Sequence, residues 1–333
     1  MTLPISDLYE SRVEREVAII TRRERITHPR EDHAAPAPLS QSDLGDYERD
    51  GFLFMRNLFS GKEVATFRTE IENMIKDPRL RGRREFIAEP ESDAIRSIFM
   101  VHKLSKLMRD LACDVRLVRV AQQILGSDVY LHQSRVNMKP EFDGKEFYWH
   151  SDFETWHIED GMPEMRAVSC SILLTENNAL NGPLLLIPGS HAYFVSCVGH
   201  TPEDNYKQSL QRQQYGVPDQ DSLRMLIASG GIKSMDGPAG SAIFFDCNAM
   251  HGSNGNISPY PRTNIFLVYN SVENMLREPR LGLHPRPEYI AARDHVAAIK
   301  ADEFDFSDGV ANERNRVNQD RSPDPAVHGV RHG

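Results

Sequence analysis

The feature that most constrains the fold is a succession of short β-type runs that begins at Val129. The runs are separated by Gly, Pro and Asn, and they read VYLHQSRVNM, MRAVSCSILLT, GPLLLIPGSH, GSAIFFD and RTNIFLVYN. Many short strands with turn signals between them are typical of a β-sandwich or a β-barrel. Strands do not alternate with helices in this part of the chain, so the pattern argues against a doubly wound α/β fold.

Helical patterns precede these strands. Ser60 and Glu63 form a capping-box signature, and apolar residues recur at helical spacing after them. A second helix is predicted over about 102–111, and a third between Asp114 as its N-cap and Gly126 at its end. The sequence therefore predicts a mainly β protein with flanking helices.

Composition divides the chain into three parts. Residues 1–40 form a charged N-terminal arm with several prolines, in which we expect one short helix. Residues 41–306 are predicted to form a single domain. Residues 307–333 contain almost no aromatic or branched apolar side chains, and we predict that this tail is disordered.

Within the domain, we expect the helices over 60–126 and the strand core over about 129–275. A long polar insertion interrupts the strands at about 195–235. Insertions of this length in a compact domain are either lids or surface excursions, and both interpretations stay open.

Charge and cysteine content limit the partners and the compartment. The 39 Lys and Arg residues against 48 Asp and Glu residues give a net charge of -9, so no nucleic-acid partner is expected. No run approaches the roughly 20 apolar residues of a membrane span, and the N-terminus does not have the pattern of a secretory signal. The four cysteines are far apart without a CxxC pair, which favours a reduced, cytoplasmic protein without a membrane partner.

The segment FYWHSDFETW carries the strongest chemical signal. His150 and Asp152 are two residues apart, so on an extended strand their side chains would leave the same face. One imidazole and one carboxylate are two corners of a 2-His-1-carboxylate triad, which binds Fe(II) and leaves positions for substrate and O2. His251 ends an apolar run further along the chain and can supply the third corner.

Arg262 follows His251 by eleven residues and opens the last long strand. A guanidinium at this place suits the far carboxylate of 2-oxoglutarate, whose other end chelates the metal. Zinc is an alternative metal for such a set of ligands. The trailing Arg262 has no obvious role in a zinc hydrolase, so the combination favours a 2-oxoglutarate dioxygenase.

Strand parity places further polar groups near this set. The run that begins at Val129 carries four polar side chains on one face: Gln133, Arg135, Asn137 and Lys139. Such a face either meets solvent or lines a polar cavity, and exposure is the default expectation. Phe266 shares a face with Arg262 and so stands near the ligand of that guanidinium.

These motifs resemble those of the phytanoyl-CoA dioxygenase superfamily of Fe(II)- and 2-oxoglutarate-dependent enzymes, and within it those of the ectoine hydroxylases. The resemblance covers the chain from about Asp43 to Arg293, and the stretch FYWHSDFETWHIEDGMP is far more specific than the His-x-Asp spacing alone. The segments that carry it are HQSRVNMKPEF, GKEFYWHSDFETWHIEDGMPEMRAVS, NGPLLLIPGSH, YKQSLQRQQYGVPD, FDCNAMHGSNGNISPYPRTN and PRPEYIAARD. It implies a double-stranded β-helix, the cupin-like jelly roll, as the core. It also implies hydroxylation of ectoine to 5-hydroxyectoine with O2 and 2-oxoglutarate, release of succinate and CO2, and a role in compatible-solute synthesis under osmotic or heat stress.

The resemblance also implies roles for individual residues. The iron ligands, which are the catalytic residues, are expected to be His150, Asp152 and His251. The residues expected to bind 2-oxoglutarate are Lys139, Asn137, Ser253 and Arg262. The residues expected around ectoine are Gln133, Thr155, Trp156, Ser171, Phe245 and Phe266. A homodimer is expected because symmetric dimers are the commonest oligomers.

Two other functions stay open from the sequence. One is a related hydroxylase of the same fold that acts on a different small zwitterion, such as a free amino acid, but Gln133, Trp156 and Phe266 argue against it. A non-catalytic jelly roll that binds a small solute as a sensor or carrier is the other, and the intact triad with Arg262 argues against that.

Overall fold

The computed structural model describes residues 7–13, 16–29, 37–89, 92–210, 215–279, 281–294 and 296–307. The tail that was predicted to be disordered therefore lies outside the described residues, apart from Ser307. The strands are β1 (Ile19–Thr21), β2 (Phe52–Met55), β3 (Phe86–Ala88), β4 (Ile95–Phe99), β5 (Val129–Lys139), β6 (Phe147–His150), β7 (Ala167–Leu173), β8 (Leu185–Leu186), β9 (Tyr193–Val195), β10 (Lys233–Ser234), β11 (Ala242–Asp246), β12 (His251–Ser253) and β13 (Arg262–Ser271). The α-helices are α1 (Gln41–Asp50), α2 (Gly61–Lys76), α3 (Val101–Leu104), α4 (Lys106–Ala112), α5 (Val115–Leu125), α6 (Asp152–Asp160), α7 (Tyr206–Ser209) and α8 (Gln220–Gly230), and 3-10 turns cover Ser190–Ala192 and Val272–Asn274.

Two antiparallel sheets make up the core. In the described part of the chain the larger sheet has seven strands in the order β2-β11-β7-β13-β5-β4-β3, and the smaller has four in the order β10-β8-β12-β6. An apolar cluster that includes Leu186 of the smaller sheet and Phe245 and Phe266 of the larger one joins the two. The predicted mainly β fold with a jelly-roll core and flanking helices is thereby confirmed.

The helices cover the outer face of the larger sheet. Ile265 and Leu267 of β13 pack in one apolar cluster with Leu117 and Ile124 of α5, whereas Phe266 between them packs on the inner face. This alternation follows from the period of two along a strand. It directs every second residue of β13 and β5 toward the space between the sheets, where the candidate site lies.

Three of the predicted helix boundaries are confirmed by their capping geometry. The Ser60 hydroxyl accepts from the Glu63 backbone N–H at 3.3 Å, and the Glu63 carboxylate accepts from the Ser60 N–H at 2.8 Å, which is a capping box. Asp114 caps α5, and Gly126 ends it with a φ of 62°. A Cβ at Gly126 would lie 2.6 Å from the His28 carbonyl oxygen, so only glycine fits there.

The helix predicted over about 102–111 is interrupted. Ser105 adopts an extended conformation, with φ -135° and ψ 133°, and this ends α3. Its hydroxyl then accepts from the Met108 N–H at 3.2 Å and caps α4. A serine in the middle of a helical pattern thus acts as a cap because its side chain competes for backbone N–H groups.

The region before Val129 also contains strands that the sequence patterns did not predict. β2, β3 and β4 extend the larger sheet at its two edges, although β3 and β4 fall in the stretch expected to be helical. Each has five residues or fewer, which is too short for an alternating pattern to be recognised.

The arm and the insertion both pack on the core. The expected short helix is absent from the described residues of the arm, which instead contributes β1, paired with β9; Tyr9, Arg12 and Arg22 of the arm are buried. The insertion at about 195–235 contains α7, α8 and β10. Helices with the length and hydropathy of a bilayer-spanning segment are absent from the described part of the chain.

Candidate metal centre and substrate pocket

The three predicted ligands come from two neighbouring strands and one helix. β6 ends at His150, Ser151 is the N-cap, and Asp152 is the first residue of α6. The expectation that His150 and Asp152 share a strand face is therefore wrong, and a strand-to-helix turn brings them together instead. His251 begins β12 and lies directly opposite His150 in the antiparallel pair.

The ligand atoms of the triad are close enough for one ion. Asp152 Oδ1 lies 3.8 Å from His150 Nε2, and Asp152 Oδ2 lies 3.9 Å from His251 Nε2. Both distances are below twice a metal–nitrogen bond of about 2.1 Å. The two imidazole rings are 4.2 Å apart between centroids. Two imidazoles and one carboxylate in this arrangement fit the facial triad of a non-haem Fe(II) site.

Backbone carbonyls orient both imidazoles. His150 Nδ1 donates to the Tyr148 carbonyl at 2.7 Å, and His251 Nδ1 donates to the Ala249 carbonyl at 2.9 Å. These bonds leave Nε2 of each ring available as the ligand atom. Burial and the neighbouring His251 lower the pKa of His150 to about 4, so its imidazole is neutral at pH 7, which is the metal-binding form.

A group of buried cations lies at the start of β13. The Arg262 guanidinium is 2% exposed and donates to the Gly182 carbonyl at 2.9 Å and to Asn137 Oδ1 at 2.6 Å. Lys139 is paired with Arg262 across the strands, and its ammonium lies 5.0 Å from the centroid of the Phe147 ring. Burial, with the nearby Arg charges, lowers the pKa of Arg262 to about 9 and that of Lys139 to about 6. Burial disfavours the charged forms of both side chains, whereas a bound anion favours them. This end of the site is therefore suited to an anion.

The polar face of β5 is buried, and the default expectation of solvent exposure is wrong. Gln133 and Arg135 line the pocket beside the triad, while Asn137 and Lys139 lie beside Arg262. The helices occupy the opposite face of this strand, where Val136 packs in the outer cluster. Both faces of β5 are therefore covered, as in the inner strands of a sandwich.

The pocket beside the triad has a volume of about 80 Å³. Of the residues expected around the substrate, three line it: Gln133, Thr155 and Trp156. The Gln133 amide donates to the Ile290 carbonyl at 2.6 Å. Trp156 is buried, and its ring lies edge-on to His132 at 4.9 Å between centroids.

The other three lie on the inner face of the larger sheet. The Phe245 ring is 5.1 Å from the His251 ring between centroids, and the Phe266 ring centroid is 5.0 Å from the Arg135 guanidinium. Ser171 is paired with Phe266 and is buried. Ser253, expected at the cosubstrate, is paired with Phe147 of β6. These four residues are therefore not part of the lining described for the pocket beside the triad; the Phe245 ring packs beside the triad at His251.

Sequence reasoning missed several residues that line the same pocket: Glu159, Asn205, Tyr215, Arg286 and Ile290. Arg286 binds the Asp160 carboxylate through both Nε, at 2.8 Å, and Nη2, at 2.5 Å. Arg286 and Ile290 come from a segment without regular secondary structure after the last strand. The stretch PRPEYIAARD that contains both residues is one of those that resemble the family, but no role in the site was assigned to any residue in it.

Comparisons with known proteins agree with this geometry. The family model for phytanoyl-CoA dioxygenase (PhyH) matches residues 47–264. The ectoine dioxygenase of Bordetella bronchiseptica is 59% identical over 300 residues, which cover 90% of this chain and 97% of that protein. The structure of EctD from S. alaskensis with 2-oxoglutarate and 5-hydroxyectoine is 44% identical with a TM-score of 0.80, and that of EctD with bound Fe is 43% identical with the same TM-score; each covers 90% of this chain and 100% of EctD. With a family match over more than half of its length and these identities, the chain belongs to the phytanoyl-CoA dioxygenase family.

Proposed function

We propose that this protein hydroxylates ectoine to 5-hydroxyectoine while O2 and 2-oxoglutarate are consumed and succinate and CO2 are released. Its role would be compatible-solute synthesis under osmotic or heat stress. The observation that carries the proposal is the His150, Asp152 and His251 ligand set, two members of which line one small pocket. The buried Arg262 stands at the start of β13. The ectoine dioxygenase relatives and the EctD structure with 2-oxoglutarate and 5-hydroxyectoine support it.

His150, Asp152 and His251 would hold Fe(II), and the iron-bound EctD structure supports this metal. Fe(II) together with 2-oxoglutarate supplies the oxidising power needed to hydroxylate an unactivated carbon with O2. The protein contributes two imidazoles held by backbone carbonyls, one carboxylate, and a pocket that limits access of water. Loss of the carboxylate would remove the single anionic protein ligand of this set.

Arg262 would bind the far carboxylate of 2-oxoglutarate. Its Nε is buried without a hydrogen-bond partner among the described residues, and a guanidinium binds a carboxylate as a planar fork. Lys139 lies across the strands from it, and Asn137 accepts from its Nη2. With Ser253 of β12, these residues would form the cosubstrate end of the site.

Ectoine carries a carboxylate and a delocalised ring cation, and the residues expected around it match both. The aromatic rings of Trp156, Phe245 and Phe266 would cover the ring cation, since aromatic faces attract cations. Gln133, Thr155 and Ser171 would supply polar contacts. The substrate would then lie between the triad and the inner face of the larger sheet.

We also propose that the protein is a cytoplasmic homodimer. The four cysteines are free thiols in the structure, which supports a reducing compartment. Sedimentation equilibrium of the purified protein tests the assembly, and a monomeric mass across the micromolar range would contradict it.

Aerobic incubation with Fe(II), 2-oxoglutarate and ectoine tests the reaction, with succinate and hydroxyectoine measured by mass. We expect equal amounts of both products. Succinate without hydroxyectoine would keep the dioxygenase and exclude ectoine as the main substrate. Neither product from protein shown to contain iron would contradict the proposal and favour a solute-binding protein.

A further inference from the structure

An arginine of the N-terminal arm is buried against the helix that carries Asp152. Arg12 is 1% exposed and has a φ of 57°, a left-handed conformation that is uncommon for residues other than glycine. Its backbone N–H donates to the Cys197 carbonyl at 2.7 Å. The arm therefore directs this side chain inward at a defined place in the fold.

The Arg12 guanidinium binds both carboxylates of α6 that face the arm. Its Nε lies 3.0 Å from Glu154 Oε1 and its Nη2 lies 2.8 Å from Glu154 Oε2, as a two-bond fork. Its Nη1 also forms an ion pair with Glu159. Glu154 accepts a further bond from the Ser11 hydroxyl at 2.6 Å. Charge-assisted forks of this kind fix the orientation of both partners.

The same guanidinium reaches a residue that lines the pocket. Arg12 Nη2 donates to Thr155 Oγ1 at 2.9 Å. An oxygen that accepts from Arg12 keeps its own proton for donation. The Thr155 hydroxyl donates that proton to Glu154 Oε2 in a long hydrogen bond of 3.4 Å, which an acceptor bound at the pocket wall beside Thr155 can replace. Arg12 thus prepares Thr155 to donate a hydrogen bond to a ligand oxygen.

The insertion at about 195–235 contacts the same ion pair of Arg12 and Glu154. Arg12 Nη1 donates to Thr201 Oγ1 at 3.0 Å. A Cβ at Gly216, whose φ is 69°, would lie 2.5 Å from both Arg12 Nη2 and Glu154 Oε2. Only glycine allows this approach, and the neighbouring Tyr215 lines the pocket.

We propose that Arg12 is a positioning residue for the substrate: it orients Thr155 and α6 and supports the segment around Gly216 at the pocket. This inference rests on the proposed function. The hydrogen bonds of Arg12 described above do not include Lys139 or Arg262. Its effect is therefore on the binding of ectoine and not on that of 2-oxoglutarate. The group to which Thr155 donates is an oxygen atom of the ligand, and the carboxylate of ectoine offers such atoms.

The test is the dissociation constant for ectoine of the Fe(II)- and 2-oxoglutarate-loaded protein without O2, measured by calorimetry. Arg12→Lys keeps the charge but cannot form the fork to Glu154 and the bond to Thr155 together. We expect ectoine to bind about tenfold more weakly to it, the change that corresponds to loss of roughly one charge-assisted hydrogen bond. We expect 2-oxoglutarate binding to stay within about twofold.

Arg22→Lys is the matched control, because Arg22 is also a buried arginine of the arm. It is paired with Asp246 at 2.8 Å and lies outside the set of residues assigned to the pocket. We expect it to lower thermal stability to a similar extent and to leave the ectoine constant unchanged.

A second variant addresses the case in which Arg12→Lys does not fold. Arg12→Met combined with Glu154→Gln removes one charge of each sign, so Glu154 is not left as an unpaired buried carboxylate, and Glu159 keeps Arg286 as a partner at 3.9 Å. We expect the same weakening of ectoine binding alone. Unchanged ectoine binding in a folded Arg12 variant, or equal weakening by Arg22→Lys or for 2-oxoglutarate, would overturn the inference. A wild-type protein that does not bind ectoine would instead contradict the proposed function.

Discussion

Replacement of Lys139 by Met tests whether binding of the dicarboxylate 2-oxoglutarate is coupled to protonation of a buried amine. Lys139 is fully buried. Burial, together with the charges of Arg262 and Arg96 and against the opposing effect of Glu89 and Glu146, lowers the pKa of its ammonium to about 6. At pH 8 the amine is therefore largely neutral in the absence of ligand. A bound carboxylate nearby favours the charged form, so we expect 2-oxoglutarate to bind together with one proton.

The magnitude follows from this pKa. Between pH 6, the approximate pKa of the amine in the free protein, and its pKa in the complex, each pH unit weakens 2-oxoglutarate binding by up to about 1.36 kcal/mol, because the amine must be protonated. This corresponds to a tenfold rise in the dissociation constant. The sign is that affinity is full below pH 6 and falls as the pH rises. From pH 6.5 to 8.5 we expect the dissociation constant of 2-oxoglutarate to rise by up to about 100-fold.

The assay is calorimetry on the Fe(II)-loaded protein without O2, in two buffers that differ in ionisation enthalpy. The buffer dependence measures the protons taken up, and we expect a value approaching one at pH 8. Lys139→Met should bind more weakly than the wild type at pH 6.5 and should lose the proton uptake. A dissociation constant that does not change with pH, or an equal slope in Lys139→Met, would refute the reasoning.

Three other outcomes follow from the described contacts. Asp152→Ala should lower turnover at least about 1000-fold because the metal loses its carboxylate ligand, and wild-type rates with bound iron would contradict the triad. Arg262→Ala should raise the KM for 2-oxoglutarate by about 100-fold, as expected for loss of a buried charged contact, with little change in the KM for ectoine; an unchanged requirement for 2-oxoglutarate would exclude this role. Ser60→Ala should lower the free energy of unfolding by about 1 kcal/mol without any effect on kinetics, and chemical denaturation measures this; an unaltered stability would show that the capping box of α2 contributes nothing.

The sequence patterns predicted those parts of the fold that depend on local chemistry. The capping box at Ser60 and the Asp114 and Gly126 ends of α5 could be located because each is set by residues a few positions apart. The break at Ser105 was missed because serine is compatible with a helix interior and with a cap. β3 and β4 were missed because each has five residues or fewer, which is too short for an alternating pattern to be recognised.

The candidate site likewise has parts that the sequence predicted and parts that it could not predict. The triad residues and Arg262 could be named from the sequence because each stands at the end of a β-type run. The burial of the β5 face could not, since residue statistics favour exposure for polar side chains and only strand pairing shows that both faces are covered. The contact between Arg12 and Glu154 joins residues 142 positions apart, and no local pattern indicates it.

Helix α6 shows why these distant contacts matter for the chemistry. It has nine residues, and an isolated helix of that length is unstable in water. Yet its first residue is Asp152, and Thr155 in its first turn lines the pocket. Both ends of the described chain hold it: the arm through Arg12 on Glu154, and the segment after β13 through Arg286 on Asp160. The sandwich fixes His150 and His251 and also reaches Asp152, through a hydrogen bond of 3.4 Å from the Ser169 hydroxyl of β7. The substrate end of α6 depends in addition on a segment outside the sandwich, because Thr155 accepts a hydrogen bond from Arg12 of the arm.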